Sequence, residues 1–244
     1  MKIKNVNVYG KAYAIARSKY PMQMGEPKDL ESAESAMYTM DYAFDDDTVM
    51  SLGSCKQGSG DDNFLKGIIV QCDIEFPLYW LKQFQRYHFS DIISSQSTMH
   101  TITKHKDITL DCNEWVDIEI IDTINKYIHA YNNFDKEIER LKELAGNAGA
   151  TLFEDAFNMH MVEKICIFYP NREKQFYDKK ELYMKIISNL PSGFQLWMAI
   201  TLNYLQAKTI YHQRKNHKLP EWHYFCKWIE TLPLFKILVL GEKK

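Results

Sequence analysis

The sequence predicts an α+β fold in which a central, mostly antiparallel sheet is flanked by several helices. Strand-like segments lie near the start of the chain, whereas the remainder shows mainly helical periodicity. The chain has 244 residues, of which 45% are hydrophobic, and this is enough for a sizeable core. No internal repeat or linker divides the sequence, so we expect a single domain over 1–244.

The clearest predicted strand covers 67–76. Every second residue in it is apolar, and the residues between include two acids and a glutamine. This two-residue alternation is typical of a strand with one buried face. The segment 2–17 is also strand-like and is expected to lie in the same sheet.

Helical signals account for most of the remaining chain. A helix over 78–89 is expected to begin after Pro77, because proline suits a helix start. The longest helix is predicted over 114–145, with Asn113 as its N-cap and Gly146 at its end. Further helices are predicted over 29–44, 151–165, 174–188, 191–214 and 220–231.

Composition narrows the classes of function. The formal net charge is −2, which argues against a general nucleic-acid-binding surface. The five cysteines are widely spaced without a CxxC pair, so we expect neither disulfides nor a metal site. No apolar run approaches the roughly 20 residues that a membrane span needs. These features predict a cytoplasmic protein.

The first candidate site is the segment from Gln83 to His88. On a helix, Gln83 and Tyr87 would share one face, with Arg86 beside it. The guanidinium of Arg86 is suited to binding a phosphate or carboxylate, and the imidazole of His88 is suited to proton transfer. An exposed polar helix face is the alternative interpretation.

Three further segments are polar enough to contact a ligand. Residues 94–98 supply hydroxyls and backbone amides that can cradle an anion, although a plain polar loop also explains them. The loop 58–63 lacks a P-loop ending and is more simply a surface turn. The run 208–218 either binds an anion or complements a helix dipole. Its basic residues are Lys208, His212, Arg214, Lys215, His217 and Lys218.

The first candidate resembles a motif of the flavin-dependent thymidylate synthases. That family has an Arg-His-Arg core after a sheet strand, then seven residues and a serine. Here Arg86-Tyr87-His88 is followed, after eight residues, by Ser97. Gln83 precedes the triplet, as a glutamine does in the family.

A second motif resembles the same family. Its Asn-Phe-Leu-x-x-Arg pattern is similar to the run from Asn203 to Lys208 here. The two motifs occur in the family's order, and the similarity covers roughly 60–230. The chain also resembles proteins encoded by bacteriophages, which implies the cytoplasm of a host cell.

The resemblance implies a flavin-dependent thymidylate synthase-like fold and a homotetramer. It implies FAD as cofactor, a dUMP-like nucleotide as substrate, and folate and NADPH as partners in reductive methyl transfer. The catalytic residues it implies are Arg86, His88 and Ser97. The substrate- or cofactor-binding residues it implies are Gln83, Arg86, Tyr87, His88, Ser95, Gln96, Ser97, Thr98, Asn203 and Lys208.

The sequence also departs from the family pattern. Only Arg86 keeps its residue type in the triplet, and Met99 and Lys208 stand where the family has arginines. A non-catalytic relative that binds a nucleotide or a protein partner is therefore the second hypothesis. Direct nucleic-acid binding through 208–218 is the third, which the net charge opposes.

Overall fold

The computed structural model describes residues 1–26, 46–147, 164–168 and 174–242. These residues form two compact units. Unit 1 consists of Met1–Ser95 and Trp197–Lys244, and unit 2 consists of Gln96–Leu196. The expectation of one domain stays a prediction. The predicted helix over 29–44 and most of that over 151–165 lie outside the described residues.

Strands and helices both occur in the described chain. The strands are β1 (Lys2–Tyr9), β2 (Ile69–Pro77), β3 (Asp91–Ser95), β4 (Ile165–Phe168), β5 (Lys174–Tyr177) and β6 (Gln195–Asn203). The α-helices are α1 (Lys11–Arg17), α2 (Asp47–Ser54), α3 (Leu78–Phe84), α4 (Thr98–Thr101), α5 (Ile118–Asn147), α6 (Lys179–Asn189), α7 (Tyr204–Arg214) and α8 (Pro220–Glu230).

Unit 1 is built on a four-stranded sheet with the strand order β1-β2-β6-β3. The pairing of β1 with β2 is antiparallel, with Ile3 opposite Ile74. The pairing of β3 with β6 is also antiparallel, with Asp91 opposite Thr201. The predicted α+β class with a mostly antiparallel sheet is therefore confirmed.

The predicted strand 67–76 is confirmed as β2. Its alternating apolar side chains Val70, Ile74 and Phe76 are fully buried, as the pattern required. The helix predicted over 220–231 is likewise confirmed as α8, which begins at Pro220. In both segments the local sequence pattern and the packing of the folded chain favour the same element.

The prediction that 2–17 is one strand is wrong beyond Tyr9. Gly10 adopts a left-handed conformation with φ of 74°, and α1 begins directly after it. A Cβ at Gly10 would lie 2.3 Å from the carbonyl oxygen of Gly67. Glycine is therefore required where the chain turns from β1 into α1.

The prediction of a helix over 191–214 is wrong in its first half, which contains β6. The side chains of Leu196, Met198, Ile200 and Leu202 are buried, and those between them are half-buried. The central run 196–200 of β6 is apolar on both faces, so the two-residue period was hidden there. The second half is confirmed as helical, since α7 follows β6 directly.

Three helix boundaries in unit 2 also need correction. Asn113 does not cap α5, which begins at Ile118; its backbone N–H donates to the Gly193 carbonyl at 3.1 Å. Gly146 lies inside α5, which runs to Asn147. The predicted helix 174–188 begins with strand β5, and α6 follows it with a capping box between Asp178 and Glu181.

Unit 2 has its own apolar interior. The helix α5 packs against α6 and against β4, and β4 and β5 form an antiparallel two-stranded sheet. Ile124 and Ile128 of α5 are buried, as are Leu182 and Ile186 of α6. None of the helices within the described ranges combines the length and apolarity that crossing a membrane requires.

The core of unit 1 contains a cluster of stacked aromatic rings. Trp80 lies 4.7 Å from Trp222 and 5.0 Å from Phe84 between ring centroids. Phe225 contacts both tryptophans edge to face. This cluster fixes α3 against α8, because large rings at these distances leave few alternative packings.

Candidate functional site

The first candidate segment does not form the helix that the sequence predicted over 78–89. The helix α3 ends at Phe84, and Arg86, Tyr87 and His88 lie in consecutive turns after it. Gln83 and Tyr87 therefore do not share a helical face. Phe89 has a positive φ of 70° and leads the chain out of these turns toward β3.

Tyr87 is the anchor of this turn. Its ring is 8% exposed, and its hydroxyl accepts a hydrogen bond from Nε of Arg214 at 2.5 Å. The same hydroxyl donates to Oε1 of Gln213 at 3.1 Å. The structure therefore brings the first candidate segment into contact with the basic run 208–218, a contact that the sequence did not predict.

Arg214 is further held by two aromatic faces. Its guanidinium lies 5.5 Å from the centre of the Tyr87 ring and 5.0 Å from that of Trp222. Trp222 is fully buried and donates its indole N–H to Oε1 of Gln83 at 2.8 Å. These five side chains, Gln83, Tyr87, Gln213, Arg214 and Trp222, are called the Tyr87 cluster below.

Two side chains next to the Tyr87 cluster, a guanidinium and an imidazole, lie at the surface. Arg86 and His88 are both exposed and flank the buried Tyr87 in the chain. Because Tyr87 is fixed, the backbone that carries Arg86 and His88 is fixed as well. The arrangement presents a guanidinium and an imidazole from one ordered turn, which suits an anionic group.

The electrostatic surroundings of the cluster are positive. Burial lowers the pKa of His217, and the nearby charges of Arg214, His223 and Lys218 lower it further. A histidine is harder to protonate where the local potential is already positive. The depressed pKa of His217 therefore reflects burial first and, second, the cations at the end of α7 and the start of α8.

The serine-rich segment 94–98 is not the continuous turn that the sequence suggested. Ser95 belongs to the edge strand β3, opposite Met198, and its side chain is exposed. After the exposed Gln96, the carbonyl of Ser97 accepts hydrogen bonds from the backbone N–H and hydroxyl of Thr101. Thr98 begins the four-residue helix α4.

Arg86 and Ser97 belong to different units. Arg86 lies within unit 1, and Ser97 lies within unit 2. The expectation that they line one cavity, with both as catalytic residues, stays a prediction. The same holds for the roles assigned to Ser95, Gln96 and Thr98.

Asn203 has a clear structural role in unit 1. Its side-chain oxygen accepts from the backbone N–H of Gln206 at 2.8 Å and so caps α7. Asparagine is one of the residues that most favour this position. The helix therefore begins inside the second motif and not at 191 as predicted, while the ligand-binding role of Asn203 stays a prediction.

Lys208 lies in the interior of unit 1, where it is 1% exposed. Its ammonium donates to the Asp62 carboxylate at 2.6 Å and to the carbonyls of Gly53 and Cys55 at 2.8 and 2.7 Å. An ammonium has three donors, and all three are engaged here. This arrangement leaves no donor of Lys208 for a ligand.

Sequence reasoning missed Gln213 and Trp222. Their partners Tyr87 and Gln83 are 126 and 139 residues away in the chain, so no local pattern links them.

Among the described residues, no group of three or more His, Cys, Asp or Glu side chains is placed to hold a metal ion.

Comparison with known proteins gives a structural likeness without a sequence match. No family model and no curated protein matches the chain. The chain is similar to the crystal structure of flavin dependent thymidylate synthase ThyX from Helicobacter pylori complexed with FAD and dUMP, with 15% identity, full coverage of both chains (100% and 100%) and a TM-score of 0.49. A second structure of ThyX from Helicobacter pylori, with FAD and dUMP, shows 12% identity, coverage of 99% of this chain and 98% of that chain, and a TM-score of 0.49.

The anchoring role of Tyr87 can be measured. Tyr87→Phe removes the hydroxyl that joins Arg214 and Gln213, so we expect the free energy of unfolding to fall by about 1–2 kcal/mol. Urea titration of the full chain provides the measurement. Tyr224→Phe makes the same chemical change at a side chain that is 63% exposed, and should alter stability by less than about 0.5 kcal/mol. Equal effects of the two substitutions would contradict the role assigned to Tyr87.

Proposed function

We propose that unit 1 binds a phosphorylated pyrimidine nucleotide of the dUMP type, as a divergent relative of the flavin-dependent thymidylate synthases. The observation that carries this proposal is the contact of Tyr87 with Arg214, which joins two cationic segments. One segment contributes Arg86 and His88, and the other contributes Arg214 and its basic neighbours. The family motif supplies the class of ligand.

The charge of these two segments favours a phosphate. Neither 82–90 nor 208–220 contains an Asp or Glu, although Asp91 follows the first segment and Lys208 of the second is paired with Asp62. The neighbouring Glu221 is buried and accepts a hydrogen bond from the Tyr79 hydroxyl. A phosphate at Arg86 would therefore meet a field that is positive on both sides.

The described residues fit the binding of a phosphate better than they fit all the cofactor-binding roles that the resemblance implies. Lys208 bonds to Asp62 and two carbonyls, and Tyr87 bonds inside its own cluster. Two positions that the resemblance assigns to ligands are thus engaged in the fold. We derive no flavin-dependent step from them. Reductive methyl transfer with FAD, folate and NADPH rests on the resemblance alone, as do the homotetramer and the phage origin.

A non-catalytic relative is the second candidate function, and the burial of Lys208 favours it. The family pattern has an arginine at this position, whereas here a lysine is withdrawn into the protein. The nucleotide phosphate would still find Arg86 and His88 at the surface. Binding without turnover is therefore a consistent outcome for this chain.

Calorimetric titration with dUMP tests nucleotide binding. We expect saturable binding by the full chain and an affinity at least about tenfold lower in Arg86→Ala, because a charge-assisted hydrogen bond to phosphate is lost. Arg140→Ala is the matched control, since Arg140 is an exposed residue of α5 in unit 2 that pairs with Glu137. Identical affinities in wild type and Arg86→Ala would contradict the proposal.

The pKa of His217 provides an independent readout. Its free-state pKa is depressed, first by burial and then by Arg214, His223 and Lys218, so a bound phosphate that offsets this positive field should raise it. By linkage, dUMP affinity should then increase as the pH falls through this pKa. An NMR titration of the histidine ring measures both states. Deoxyuridine, which lacks the phosphate, should leave the pKa unchanged; an equal shift with deoxyuridine would refute a phosphate effect.

Reconstitution with FAD separates the two candidate functions. The enzyme hypothesis expects a retained flavin absorbance after desalting, together with conversion of dUMP in the presence of folate and NADPH. A non-catalytic relative is expected to bind dUMP with neither flavin retention nor turnover. A protein that binds neither dUMP nor FAD would exclude both.

A further inference from the structure

Unit 1 contains a cavity of about 570 Å³ that is separate from the residues of the Tyr87 cluster. Sites for small molecules usually have volumes of about 300–1,000 Å³. One wall is formed by Tyr13 of α1 and by Tyr20, and another by the 3₁₀ turn Asp61–Gly67 before β2. The loop 58–63, singled out for its glycines, therefore leads into a cavity wall.

The first wall of the cavity is aromatic. The guanidinium of Arg17 lies 5.4 Å from the centre of the Tyr13 ring and 5.0 Å from that of Tyr20. These cation–π contacts hold the two rings at the cavity. Phe64 adds a third ring to the lining. A lining with three aromatic rings favours a flat aromatic ring as occupant, because ring-on-ring packing is favourable.

The second wall offers hydrogen-bond acceptors. Asp61 contributes a carboxylate, which accepts hydrogen bonds when it is ionised. Asn63 also lines the cavity, and its amide N–H donates to the carbonyl of Gly60 at 2.6 Å. The amide oxygen of Asn63 is a further acceptor. A ligand that matches this wall therefore carries N–H donors at its edge.

The buried ion pair holds this second wall in place. Asp62 lies between Asp61 and Asn63 in the chain, and its carboxylate is fixed by the Lys208 ammonium at 2.6 Å. The same ammonium binds the carbonyl of Gly53, whose neighbour Leu52 also lines the cavity. One side chain thus connects two parts of the lining.

We propose that this cavity binds a nucleobase-like molecule, a flat heteroaromatic ring with amino donors at its edge, and that Lys208 and Asp62 act as positioning residues for it. The ring would pack against the aromatic rings of Tyr13, Tyr20 and Phe64. Its amino group would donate to Asp61 and to the oxygen of Asn63. The proposal needs no phosphate and does not depend on the nucleotide site at Arg86.

Adenosine is a suitable probe, because it has a flat ring with an amino group and lacks a phosphate. We expect calorimetric titration of the full chain to show saturable binding. Asn63→Ala should weaken adenosine binding about tenfold, since the amino group of adenosine loses one of its two proposed acceptors. The control Asn189→Ala alters an exposed asparagine of α6 in unit 2, and should bind adenosine as wild type does.

Titration of the same variants with dUMP keeps the two proposals apart. Asn63→Ala should bind dUMP normally, and Arg86→Ala should bind adenosine normally. The absence of saturable adenosine binding would overturn the cavity proposal and leave the dUMP result standing. Equal weakening of adenosine binding by Arg86→Ala would also overturn it, because the two ligands would then share one site.

The positioning role needs a variant that removes the ion pair without leaving a buried charge. Lys208→Met combined with Asp62→Asn does this, because both replacements are neutral and similar in size. We expect a folded protein by circular dichroism, weaker adenosine binding, and unchanged dUMP affinity. Loss of both ligands would indicate a general role in folding and would overturn the positioning role. In that case Asn63→Ala, which leaves the ion pair intact, still decides whether the cavity binds adenosine.

Discussion

The buried ammonium of Lys208 is the constraint on which unit 1 most depends. A charge that is 1% exposed is very costly unless it is paired and hydrogen-bonded, and here a carboxylate and two carbonyls satisfy it. Its acceptors come from the end of α2, from Cys55 and from Asp62, while Lys208 itself lies on α7. One side chain therefore ties three separate segments together. Removal of either charge alone would cost about 3–5 kcal/mol, because the other charge would stay buried without a partner.

Trp222 links the core of unit 1 to its surface chemistry. One side of its ring packs against Trp80 in the aromatic cluster, and the Arg214 guanidinium lies 5.0 Å from the ring centre. Its indole N–H bonds to Gln83, which precedes the turn that carries Arg86. A change in core packing would therefore be transmitted to the position of this turn. The turn at Arg86 needs no regular secondary structure of its own, because it is held through Trp222 and Tyr87.

The sequence was informative where a local pattern and the final packing agree. The strand β2 shows alternation because only one face enters the core, and α8 is marked by Pro220 at its start. In contrast, β6 lies in the interior of the sheet with apolar residues on both faces, so its period is invisible. The second motif lies across the start of α7, but the sequence placed the helix start at 191 and not at Asn203. It gave no sign that Lys208 points inward, because burial depends on the distant Asp62.

In the candidate site, too, the sequence could not predict the contact between Tyr87 and Arg214, because the two residues are far apart in the chain. Tyr87 stands where the family motif has another residue type, and from sequence it counts as a departure. In the structure its hydroxyl is the group that Arg214 requires, since an arginine stacked between two rings still needs an acceptor for Nε.

Burial depresses the pKa of His217, and the charges of Arg214, His223 and Lys218 depress it further, so a further positive charge is disfavoured here in the free protein. The Tyr87 hydroxyl stabilises the fold and also holds Arg214 beside these charges. An anion bound there would offset the positive field, which is the effect that we propose for the nucleotide phosphate.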